Sequence, residues 1–314
     1  RGAGPDGDGA EEGGGGAAAA GGGGGGPASG GNVGRNPPAG ATIDFWLPDD
    51  LSEGEVLTLK VLKENGDLVR TYSTVPDEDL SPGAQSMVAE AGMNRTSWNL
   101  RYEAIPNIAG AYVFGSLQGR RAVPDRYRVQ LTVGDWSMTQ PLEVRMDPRV
   151  GATLDDYREQ DTFVANVAGE LTEIHRSVMR TQDVREQIES LLDRLEGRED
   201  IESVAEAGGT LVRDLEVVAD SLYQSKTVDG QTVINFPTRL KFQYVWLHGN
   251  ADGANAGVSQ GSQDVLRDLR VRWIMHRATV ELLLGERLNE FNDLVREMGY
   301  SAIVTPLLTR EPIG

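Results

Sequence analysis

Apolar residues alternate with polar ones in the first half of the chain and recur at helical spacing in the second. The change falls at Tyr127–Asp147. There Tyr127, Val129, Leu131 and Val133 alternate with Arg128, Gln130 and Thr132, the period of a half-buried strand. Gly134-Asp135 supplies a tight turn. The return strand sets Trp136, Met138, Leu142, Val144 and Met146 on one face and Ser137, Thr139, Glu143 and Arg145 on the other. Earlier strands are predicted at Ala41–Leu47, Val56–Leu62, Leu68–Tyr72 and Gly92–Leu100, with Asn65-Gly66 as a hairpin turn and Trp98 as a core anchor. Residues 75–91 and 103–124 read as loops. Six or seven short strands separated by turn signals predict a β-sandwich of immunoglobulin or fibronectin type over residues 36–149.

Beyond Asp147-Pro148 the period becomes helical. Thr153 and Asp156 form a capping-box pattern with Asp in place of Glu. Tyr157, Val164, Leu171, Val178 and Leu192 follow in one heptad row, and Val167, Ile174, Ile188 and Leu195 in another, with Gln160, Thr181 and Arg185 as weak points. A second helix carries Ile201, Val204, Leu211, Leu215, Val218 and Leu222, interrupted at Gly208-Gly209. Pro237 is placed near the first turn of a third helix bearing Phe242, Tyr244 and Trp246. Gly249–Gly261 reads as a loop, and Ser262 as the cap of a fourth helix. Its stripe is Leu266, Leu269, Trp273, His276, Val280, Leu283, Phe291, Leu294 and Met298, ending at Gly299. These segments predict an antiparallel four-helix bundle with long helices over residues 152–300, followed by a C-terminal tail, 301–314.

Composition changes the picture at the start of the chain. Residues 1–35 are Gly- and Ala-rich and have no apolar periodicity to offset the entropy of ordering, so a flexible linker is expected. Net charge is −18, about −7 of it before residue 150 and −11 after, with no basic stripe. Such a surface repels phosphate backbones and anionic lipid, which argues against a nucleic-acid partner. There is no cysteine, which excludes disulfides, thiolate metal sites and a cysteine nucleophile. No apolar run approaches the roughly 18 residues of a membrane span. The chain begins at Arg1, without an initiator Met or a signal peptide, and is expected to be a fragment of a longer polypeptide.

Candidate chemistry is sparse. The run Gly21–Gly26 lacks the Lys-Ser/Thr of a phosphate loop, and Asp6-Gly-Asp8-Gly9 lacks the further ligands of a calcium loop. None of the three histidines has a metal-binding spacing. His276 and His175 read as packed or bundle-edge residues. His248-Gly-Asn250-Ala-Asp252-Gly253-Ala-Asn255 is the most polar loop. Asn250, Asp252 and Asn255 are its candidate calcium ligands, although the spacing departs from that of an EF-hand. No catalytic residue and no cofactor is predicted. The aromatics Trp46, Tyr112, Phe114 and Trp136 suit stacking on a sugar, but core or loop packing is expected for most of them.

Five stretches carry a family resemblance. They are Asn36-Pro-Pro-Ala-Gly-Ala-Thr-Ile-Asp44, Lys63-Glu-Asn-Gly-Asp-Leu-Val-Arg70, Gly92-Met-Asn-Arg-Thr-Ser-Trp-Asn-Leu-Arg-Tyr102, Tyr127–Arg149 and Ile234-Asn-Phe-Pro237. In this order they resemble the C-terminal region of bacterial secreted sortilin-like, sialidase-type-repeat β-propeller proteins, often labelled glycosyl hydrolases. The strand-rich part is also similar to the immunoglobulin-like domain of flagellar-hook capping proteins. The resemblance implies a secreted, periplasmic or cell-surface location and a propeller upstream of Arg1 as partner. It implies a non-catalytic accessory role in binding or domain docking, with another protein or a glycan as possible ligand. The alternative is that this region belongs to a glycoside hydrolase whose catalytic propeller lies upstream. A carboxylate pair facing a cleft would discriminate the two.

Overall fold

The computed structural model describes residues 39–75, 84–198, 201–253 and 257–305. The expected linker at 1–35 and the last residues of the expected tail lie outside them. The described part is mixed β and α, with the strands first. The strands are β1 (Ala41–Leu47), β2 (Leu57–Lys63), β3 (Leu68–Ser73), β4 (Gln85–Ser86), β5 (Gly92–Trp98), β6 (Arg126–Val133) and β7 (Trp136–Glu143). They form two sheets: an antiparallel β1–β5 pair, and five strands in the order β4-β3-β2-β6-β7. The β2–β3 turn is at Asn65-Gly66, where Gly66 takes a φ of +100° and Asn65 Oδ1 accepts from the Asp67 amide at 3.1 Å. Within the expected loop 75–91, β4 pairs in parallel with β3.

Apolar side chains from both sheets share one core. Leu59, Val61, Val69, Tyr72, Trp98 and Tyr127 are buried in it, and Ile43 and Phe45 pack against them from β1. Trp98 has no exposed surface, meets the Tyr127 ring edge-on at 5.3 Å and donates from Nε1 to the Arg101 carbonyl at 2.8 Å. Strand β5 ends at Trp98 rather than at the expected Leu100. Leu100 has a φ of +58°, which an extended strand cannot contain.

The return strand of the hairpin is only partly covered. β7 pairs with β6 in the register Val133↔Trp136 to Arg126↔Glu143, but Trp136, Met138 and Met146 are about half exposed. The apolar face of β7 is therefore not closed off. The reason is its place at the sheet edge, with β6 as its only neighbour among the described residues.

The helices are α1 (Leu154–Leu195), α2 (Glu202–Leu222), α3 (Leu240–Gly253), α4 (Gln260–Leu282) and α5 (Leu288–Glu297). A π-turn, Leu283–Arg287, joins α4 and α5 into one rod. At 42 residues α1 is roughly 63 Å long, and its capping box forms as read, with Thr153 and Asp156 bonded reciprocally. Its buried row includes the two weak points, Gln160 and Thr181, and beyond Thr181 it shifts from the expected Arg185 and Leu192 to Val184 and Leu191. A straight helix drifts about 20° per heptad, so a strict seven-residue row cannot stay on one face for 42 residues. Arg185, turned outward, pairs with Glu189 and Glu216.

Other boundaries are corrected too. Pro237 precedes α3, which runs on to Gly253, so His248–Asp252 is helical rather than loop. The cap of α4 is Ser259, which accepts from the Ser262 amide at 3.1 Å. The π-turn inserts a residue into the stripe, and Val295 is buried where Leu294 was expected. Gly208 is a close-packing point rather than a weak one. A Cβ there would come within 3.0 Å of Phe291 and 3.2 Å of Leu192. The segment 103–124 lacks regular structure yet packs well, since Ile105 and Ile108 are buried in the helical core. Through it the strands and helices join into one unit, Ala39–Gly314.

Candidate functional site

The C-terminal turn of α3 meets the segments at Arg101 and Gly119–Ala122. Asp252 lies there with its side chain 9 % exposed. Its Oδ2 pairs with Arg101 Nη1 at 2.5 Å and its Oδ1 accepts from the Arg121 amide at 2.9 Å. Arg101 also donates to the Gly119 carbonyl at 2.7 Å. Gly119 allows this approach, because a Cβ there would lie only 2.1 Å from the Tyr102 carbonyl oxygen. One turn back on α3, His248 is 2 % exposed and neither ring nitrogen has a hydrogen-bond partner among the described residues. Burial, opposed by the nearby Asp252 carboxylate, holds its pKa below the ordinary value.

The same junction borders a cavity of about 370 Å³ lined by Arg101, Arg120, Arg145, Asp147, Asp161 and Asp252. Arg120 pairs with Asp161 at 2.6 Å and lies over the Tyr102 ring at 3.6 Å. Gln160 of α1 donates to the Ala251 carbonyl at 2.5 Å, tying α1 to the end of α3. Each carboxylate here has an arginine partner. Asp147 is held at about 2, chiefly by its hydrogen bonds from Arg149. A general acid for glycoside cleavage requires the opposite shift.

A second opening lies where β1 and β7 present edges that are unpaired among the described residues. A groove of about 550 Å³ runs between them, lined by Phe45, Trp46, Leu131, Trp136, Met138 and Leu142. Trp46 is 61 % exposed and Trp136 52 %. Gly134-Asp135 is a two-residue turn, so Val133 and Trp136 bond to each other. Counting on by twos, the backbone groups of Ser137, Thr139, Pro141 and Glu143 point away from β6. Pro141 has no N–H to offer, which leaves the Ser137 and Thr139 amides as donors beside the groove with no strand partner among the described residues.

The residues singled out in the sequence do not gather at one site among the described residues. Asn250 is exposed on α3, Asp252 is engaged as above, and Asn255 lies outside the described residues. Among the described residues no group of three or more His, Asp or Glu is arranged to hold a metal ion. His175 is fully buried and half-exposed His276 lies on α4; burial lowers the pKa of both. Trp46 and Trp136 share the groove, whereas Tyr112 and Phe114 border a separate recess beside α3. Arg120 and Arg101 were not singled out by the sequence, because their carboxylate partners are 41 and 151 residues away. The Pro in β7 was the available sign that this strand is an edge. No described helix is long and apolar enough to cross a membrane. Comparison with protein-family models, curated proteins and solved structures finds no match.

Proposed function

We propose that this chain is a non-catalytic accessory region of a secreted bacterial β-propeller protein and that its task is docking. In this reading the two sheets are the halves of an immunoglobulin-like sandwich, and the helices are an antiparallel bundle that braces it. The shared core supports the sandwich. So does Tyr127, whose hydroxyl donates to the Val123 carbonyl at 2.6 Å in the manner of a tyrosine corner. The observation that carries the function is the groove between β1 and β7. Its walls are strand edges and its floor is apolar, so the matching occupant is an extended segment with alternating apolar side chains, donated by the propeller. Main-chain pairing on Ser137 and Thr139 supplies affinity, and Trp136 and Met138 supply the pocket.

The rival reading, a contribution to a glycoside hydrolase cleft, draws on the carboxylates around the 370 Å³ cavity. The arginine opposite each of them argues for an ion-paired structural junction instead. Changing Trp136 and Met138 to Ser tests the docking reading. Both are half exposed, so stability should change by only about 0.5 kcal/mol each, while association with the propeller is lost. Retained association, or turnover of aryl glycosides that vanishes on replacing Asp161, would contradict it.

A further inference from the structure

A recess apart from this groove lies between the start of α3, the end of α2 and the segment around Phe114. Its walls are aromatic: Tyr112, Phe114, Tyr223, Phe236 and Phe242. Two cations, Arg239 and Lys241, also line it, and no acidic side chain does. In a chain of net charge −18 that is a marked local reversal.

Lys241 is 5 % exposed, and its Nζ has no hydrogen-bond partner among the described residues. The Tyr223 ring, 4.9 Å from Nζ, offsets part of the lost hydration but offers no lone pair to the ammonium hydrogens. Arg239 Nε is likewise buried and without an acceptor. Burial lowers the pKa of Lys241 to about 8, so it remains largely cationic at neutral pH. Two cationic side chains that line one recess, with no acceptor among the described residues, call for an anion. The recess holds about 40 Å³, room for about three waters, which fits a carboxylate but not a ring. At the rim Phe114 is 42 % exposed and stacks on Phe242 with ring centres 5.9 Å apart.

We propose that this recess binds a small aromatic carboxylate, the carboxylate accepting from Lys241 Nζ and Arg239 Nε and the ring lying against Phe114 and Phe242. The proposal is independent of the docking groove. The probe is phenylacetate, titrated by calorimetry into the full 314-residue chain, with phenylacetamide as its neutral counterpart. Phenylacetate should bind saturably, and the amide should bind at least about tenfold more weakly. Lys241→Met and Arg239→Gln should each weaken phenylacetate by at least about tenfold. The melting temperature of Lys241→Met should not fall, because a buried ammonium without an acceptor is replaced by an apolar chain of similar length. Should that variant fail to fold, Arg239→Gln and the amide comparison decide. No saturable binding up to about 10 mM, equal binding of acid and amide, or unchanged binding by Arg239→Gln would overturn the proposal.

Discussion

Replacing Asp252 with Ala is expected to lower the unfolding free energy by about 3–5 kcal/mol, the cost of removing one partner of a buried ion pair. The size follows from what is left behind. Arg101, with its side chain 19 % exposed, keeps only the Gly119 carbonyl, and the Arg121 amide loses its acceptor. The contrast is Asp44→Ala. Asp44 makes an equally well-formed pair with Arg95 at 2.7 Å, but the two side chains are 39 % and 70 % exposed, and the loss should be far smaller because water screens the pair. Urea unfolding of both variants measures the difference. Similar losses would show that the α3 junction is not the buried tie inferred here. Replacing Arg101 and Asp252 together with apolar residues should recover much of the loss, since no uncompensated charge then remains.

Acidification should destabilise the protein before its carboxylates titrate. His175 is fully buried on α1, with Nδ1 2.6 Å from the Pro106 carbonyl and Nε2 without a partner. The ring is therefore neutral and donates from Nδ1. Burial lowers its pKa from 6.5 to about 4, the carbonyl acts in the opposite sense, and Lys241 adds a smaller lowering. The folded pKa lies below the unfolded one, so the unfolded chain takes up the proton first as pH falls. Stability is intact at pH 7, declines below about 6.5 and levels off near 4. Between pH 7 and about 4.5 the loss from this residue should be about 2–3 kcal/mol. His248 is displaced in the same direction by burial and adds to it. Asp147, whose pKa is lowered to about 2 by Arg149, contributes only in more acidic solution. His175→Phe should flatten the pH dependence of urea unfolding in this window. An unchanged slope would place the acid sensitivity elsewhere.

Local chemistry explains why most elements were legible in the sequence. The alternation at Tyr127–Val133, the Asn65-Gly66 turn and the Thr153 capping box are decided by neighbouring residues, and all three form as read. What was not legible depends on distant partners. Gln160 looks like a flaw in the α1 row until the Ala251 carbonyl arrives from α3. The segment 103–124 has no period, yet Ile105 and Ile108 are buried because α1 and its neighbours cover them. Trp136 and Met138 have the pattern of core residues and miss burial because no strand lies beyond β7 among the described residues. The polar run ending in Asn255 suggested a loop because its residues favour turns, whereas packing of Leu247 and Ala251 keeps α3 helical through Gly253. Of the candidate calcium ligands, Asp252 is bound to Arg101 and Asn250 is exposed, and Asn255 lies outside the described residues.

Docking through the β7 edge is the central claim, and amide hydrogen exchange at Ser137 and Thr139 tests it most directly. In the chain alone these amides should exchange at rates close to those of exposed backbone. In the propeller-containing polypeptide proposed above they should become protected, while the alternate positions Met138 and Gln140, already bonded to β6, change little. Equal exchange at Ser137 and Thr139 in both forms would contradict the account.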